Sequence, residues 1–152
     1  MTDGPMPDHY GRVTNPERFR PLHAIALARI AALEAAYDVV REDGGTMPGP
    51  LGRVLLERPP IVLRPADALA APLTIGLSAF PGGLVQAGRA TGQALPACGC
   101  DACDDDPDRV AETLDRLIEV VVSGGFGETI PLAGAGSHAT RAWRAWPRRA
   151  AS

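Results

Sequence analysis

Apolar residues recur at three- and four-residue spacing over Phe19, Leu22, Ala26, Ile30, Leu33 and Tyr37. That is the repeat of one face of an α-helix. Alanine, the best helix former, fills much of the rest. Thr14-Asn15-Pro16-Glu17 supplies a start. Thr14 and Glu17 fit a capping box, and Asn15 before Pro16 fits an N-cap with proline at the first helical position, two registers of one boundary. Pro21 lacks an N–H inside the pattern, so a first turn, a kink and a main helix from about Arg20 are expected. Val39 and Val40 either prolong this helix or open a strand, and Gly44-Gly45 ends what precedes it.

Further along, the period shortens to two. Leu73, Ile75 and Leu77 alternate with Thr74, Gly76 and Ser78, which predicts a strand reaching Phe80. Pro81-Gly82 fits a type II turn, and Leu84 to Arg89 reads as the return strand of a hairpin. Ile61 to Arg64, boxed by Pro59-Pro60 and Pro65, fits a short edge strand. Val54 to Glu57 and residues 91–97 are further strand candidates. The helical period returns at Val110, Leu114, Leu117 and Val121, behind Asp106 as N-cap, Pro107 at the first position and Asp108 in the first turn. Gly124-Gly125 ends that helix, and Glu128 to Leu132 adds a strand candidate. Glu112 and Arg116 are spaced to pair along it.

Helix, strands in hairpin order, then helix predict an α+β fold: a small, mostly antiparallel sheet of about four strands with two helices on one face. Residues 1–13, rich in Pro, Gly and Asp, read as a flexible N-terminal arm, and residues 14–131 as a single α+β domain. Residues 132–152 hold four Arg, no acid and no apolar period, and are expected to form a poorly ordered basic tail.

Composition narrows the function. The 152 residues, 45% hydrophobic and 22% charged, suit one domain with its own core. The first residues lack the basic and apolar regions of a secretory signal. No run approaches the ~18 apolar residues of a membrane span. A cytoplasmic protein with no membrane partner is expected. The net charge of −3 argues against nucleic acid, and no partner is identified. All 15 basic residues are Arg, which excludes a P-loop, Schiff-base or general-base lysine. Arg without Lys, a single Asn and abundant Ala, Gly and Pro match coding by a GC-rich genome.

Charge is unevenly placed: residues 101–108 contain five Asp and no Arg. This acidic stretch overlaps the one chemically conspicuous segment, Cys98-Gly99-Cys100-Asp101-Ala102-Cys103. A C-x-C-x-x-C turn lets three thiolates converge on one ion, and Gly99 frees the backbone for it. Cys98, Cys100 and Cys103 are therefore the candidate metal ligands, and zinc the cofactor they would hold. The fourth ligand is unknown; His23, His138, Asp101 and Asp104 are the choices. A second reading makes Cys100 and Cys103 a redox pair before a helix. The aspartates oppose it, since negative charge raises thiol pKa values while attracting a divalent cation. A third reading leaves buried thiols in a structural turn.

Other chemistry is sparse. No catalytic residue is assigned. Ser137-His138 has no following acid and no nucleophile elbow. Gly134-Ala135-Gly136 lacks a third glycine. Glu112, Asp115 and Glu119 read as a solvated helix face. The Trp143, Arg144, Trp146, Arg148 and Arg149 run has the composition of a nucleic-acid stacking segment, set against the acidic net charge. The expected function is that of a small non-enzymatic protein built around a structural, metal-binding cysteine turn. A thiol-dependent redox enzyme and a protein-interaction module are the alternatives.

The Cys98–Asp104 run, C-G-C-D-A-C-D, resembles a segment of an uncharacterised actinobacterial family designated only a domain of unknown function. Gly11–Phe19, Pro59-Pro60, Ala71–Thr74, Phe80–Gly82 and Gly124–Phe126 are similar in kind. The resemblance covers about residues 10–131. It implies a cytoplasmic α+β protein and brings no activity, cofactor or site residue. Residues 132–152 look unlike that family.

Overall fold

Proline placement organises the first helix. The computed structural model describes residues 16–44, 47, 54–79, 82–88, 91–95, 107–131, 136 and 138–150. A 3-10 turn over Pro16–Phe19 leads through Arg20 into α1, Pro21–Ala36, with Pro21 at its start. The N–H that proline lacks has no partner in a first turn, so Pro21 begins α1 without breaking it. α1 buries Leu22, His23, Ala26, Ile30 and Leu33. Tyr37 leaves the helical conformation (φ −122°, ψ 156°), so Val39 and Val40 open a strand, β1, Val39–Asp43. Branching at Cβ suits that choice.

Four more strands follow: β2, Ile61–Pro65; β3, Leu73–Ser78; β4, Gly82–Ala87; and β5, Thr91–Leu95. They form one antiparallel sheet in the order β1-β2-β3-β4-β5. This is five strands where about four were expected, and β1 is the addition. Val54 to Glu57 forms no strand. It contributes an isolated Leu56–Ser78 bridge, with the Glu57 and Ala79 N–H groups donating to Leu77 and Leu55 carbonyls.

The register places Ile61 and Leu63 beside Ile75 and Leu73, and these beside Val85 and Ala87. That row faces the helices. Leu22 of α1 lies over Gly83, with Cδ2 3.7 Å from where a Cβ would stand. α2, Pro107–Ser123, turns Val110, Leu114, Ile118, Val121 and Val122 into the same core. Leu117, expected among the core positions, is only partly buried. Arg29 and Asp115 join the two helices through contacts of 2.6 and 3.2 Å. On the opposite face Leu56 presses on Gly76, where a Cβ would meet its Cδ2 at 3.1 Å.

The C-terminal end corrects the expectation of a poorly ordered tail. β6, Gly127–Pro131, pairs antiparallel with β7, His138–Ala142. Beyond β7, Trp143 and Trp146 are only 5% and 3% exposed and belong to the main core. The backbone is fastened too. Trp143, Trp146, Arg144 and Arg149 donate N–H bonds to the carbonyls of Phe126, Val122, Leu69 and Ala36, and the Asp38 N–H donates to Pro147. The Trp146 indole donates to the Ala71 carbonyl at 2.8 Å. Two indoles bury enough area to anchor a segment with no apolar period. The folded unit therefore runs past residue 131. Gly124 lets it pass: its φ is +83°, and a Cβ there would lie 2.7 Å from the Ala145 nitrogen.

Candidate functional site

Cys98, Cys100 and Cys103 lie outside the described residues, as do Asp101, Asp104 and Asp106. What the fold fixes is their place in the chain, in the connection from Leu95, the end of β5, to Pro107, the start of α2. Both ends are held in the core through Leu95 and Val110, 3% and 6% exposed. Among the described residues no group of three His, Cys, Asp or Glu side chains is arranged to hold a metal ion.

Two histidines were candidate fourth ligands. His23 is buried on α1, with Nε2 2.8 Å from the Gly82 carbonyl. A carbonyl only accepts, so Nε2 carries the proton. Nδ1 faces the Glu57 carboxylate at 3.4 Å. Nε2 is thus committed to the protein, and His23 ties α1 to the start of β4. His138 is exposed on β7, with Nδ1 donating to the Gly136 carbonyl at 3.2 Å.

Around His23 the charges form a chain. Arg20 binds both Glu17 and Glu57. Its hydrogen bond holds the Glu17 carboxyl below the usual range, and the two carboxylates raise the Arg20 pKa. Elsewhere Asp115 of the expected carboxylate face is spent on Arg29. The tryptophans of the Arg-rich end are buried, so they offer no face to a nucleic-acid base.

The structure brings together a second constellation that sequence reasoning missed. Glu128, the second residue of β6, is 7% exposed. The Thr91 hydroxyl donates to its Oε1 at 2.9 Å, and the Trp143 indole N–H donates to its Oε2 at 2.8 Å. Arg141 stacks on the same indole, 4.0 Å from the ring centre. Gly88, at φ +64°, makes the room: a Cβ there would stand 2.1 Å from Glu128 Oε2. Both carboxylate oxygens are occupied, which suits a structural tie between β5, β6 and the C-terminal segment better than proton transfer. The sequence signal, a lone Glu inside a short strand, was too slight to mark it.

Beside this tie an apolar pocket of about 160 Å³ opens between α2 and the β4–β5 edge. Val85 and Ala87 line it from the sheet, Leu117 and Val121 from α2, and Phe126 from the turn after α2. Arg116 and Val120 also line it and are exposed, so they mark its mouth. Glu112 and Arg116, spaced to pair, form no ion pair in the structure, which leaves the Arg116 guanidinium without a carboxylate partner among the described residues. No described helix is long and apolar enough to cross a membrane.

No curated protein and no solved structure matches the chain. A family model, a family of unknown function (DUF6226), matches residues 1–149. The match takes in the C-terminal segment that the sequence reading had set apart, in keeping with the burial of its two tryptophans. The chain belongs to this family of unknown function, DUF6226.

Proposed function

We propose that the chain is a small, non-enzymatic cytoplasmic protein whose cysteine turn holds a structural metal ion of the zinc class. The observation that carries this is positional. Cys98, Cys100 and Cys103 all fall in the single connection between β5 and α2, together with four aspartates, and core residues fix both its ends. A metal there would staple the sheet edge to the helix, and ligand binding free energy would add to folding free energy. The aspartates favour a cation and oppose a free thiolate. The test is metal analysis of protein purified without added metal, with thiol titration alongside. The expected result is close to one transition-metal ion per chain, slow thiol reaction that chelator accelerates, and loss of the metal in Cys100→Ser. Metal-free wild-type protein with one fast-reacting thiol would replace this reading with the redox one. The interaction-module reading is favoured by one separate observation, the apolar pocket beside α2.

A further inference from the structure

We propose that the pocket between α2 and the β4–β5 edge binds a small apolar carboxylic acid, with its apolar body inside and its carboxylate on Arg116. The inference is independent of the cysteines and rests on size, lining and charge. The volume of about 160 Å³ is close to the roughly 150 Å³ of an apolar protein cavity that holds benzene. The occupant is therefore about one aromatic ring, or a short aliphatic chain, in size. Val85, Ala87, Leu117, Val121 and Phe126 line it with apolar side chains that offer dispersion contacts, while Thr91 and Gln93 line its exposed β5 side. Polarity enters at the mouth. Arg116 lines the pocket, is exposed and has no ion-pair partner among the described residues. Its stem covers apolar surface while the guanidinium stays in water, and that planar fork matches a carboxylate in bidentate geometry. Arg109 lies two helical turns earlier on the same side of α2 and adds positive potential. Glu112 and Glu119, four residues before and three after, are exposed and form no ion pair with Arg116. Val120, 38% exposed beside Arg116, is an apolar rim that an occupant would cover. The Thr91 hydroxyl, on the exposed β5 side of the pocket, is already given to Glu128, which leaves Arg116 as the charged group that lines it.

The experiment is a titration of ¹⁵N-labelled full-length protein with benzoate, hexanoate and benzyl alcohol, followed by amide shifts. Saturable shifts are expected at Leu117, Val120 and Phe126, with benzoate binding about tenfold more tightly than benzyl alcohol. Arg116→Gln, an exposed substitution that leaves the core intact, should bring the two to equal affinity. Arg116→Glu should reverse the order, with benzylamine displacing benzoate as the preferred probe. Ala87→Leu should fill the floor and weaken all probes. Equal affinity for acid and alcohol in the wild type, an acid preference that survives Arg116→Gln, or shifts confined to other residues would overturn the proposal.

Discussion

α2 buries Val110, Leu114, Ile118, Val121 and Val122 along one stripe, whereas the segment after β7 buries Trp143 and Trp146 and leaves Arg144 and Ala145 between them exposed. The helix spreads its burial over many medium side chains, each useless unless the period is kept. The C-terminal segment concentrates its burial in two large ones and fastens its backbone, from Trp143 to Arg149, to Phe126, Leu69, Val122, Asp38 and Ala36. Either arrangement fills the core, but only the first leaves a pattern in the sequence. Aromatic anchors also carry polar tips, and here each indole N–H has found a buried acceptor, Glu128 or the Ala71 carbonyl. A few anchors with satisfied tips can replace a stripe.

That comparison can be broken at several points. Truncation after Pro131 removes both indoles, and the remaining chain should show no cooperative urea transition. Retention of the wild-type transition would mean the anchors are dispensable. Trp146→Ala alone should cost about 3–5 kcal/mol, as large as Leu114→Ala on the helix stripe, read from urea midpoints. Glu128→Ala leaves the Trp143 N–H without its acceptor and should cost about 1–3 kcal/mol, with a change in tryptophan fluorescence that Leu114→Ala does not produce. Gly88→Ala must strain a positive φ and displace Glu128, so a loss above about 1 kcal/mol is expected. Gly44→Ala, also at positive φ but with open space around it, should cost less in the same assay. The smallest effect depends on pH. Hydrogen bonds from Arg41 and Arg20 hold the Asp43 and Glu17 carboxyls below their usual range. Groups lowered in the folded state stabilise it above their unfolded pKa, and the stabilisation is lost as pH falls through the folded one. Both are exposed, so Asp43→Asn should be only slightly less stable than wild type above about pH 4, and the difference should close as pH falls below that.

Much of the fold was legible because its signals are local. Pro21 marked the start of α1 and Gly124 the end of α2, since missing donors and positive φ are properties of single residues. The alternation over Leu73 to Ser78 marked β3, and its register with β4 buried the expected face. β1 was half legible: Val39 and Val40 allow strand or helix, and pairing with β2 decided it. The misreadings have the opposite origin. What His23 packs against was not legible, because the Gly82 carbonyl that takes its ring nitrogen is 59 residues away. Glu112 and Arg116 looked paired because their spacing allows it, yet they form no ion pair.

By itself the sequence determined the α+β class, the two helices and the hairpin order, along with the absence of lysine chemistry and the cysteine turn's place between strand and helix. These follow from periodicity, punctuation and composition, each written within a few neighbouring residues. Only the tertiary structure decided that Trp143 and Trp146 are core, that Glu128 ties three segments together, and that Arg116 stands at the mouth of an apolar pocket with no ion-pair partner among the described residues. Those outcomes depend on which distant surfaces meet, and no local pattern encodes the meeting of residues joined only by the fold.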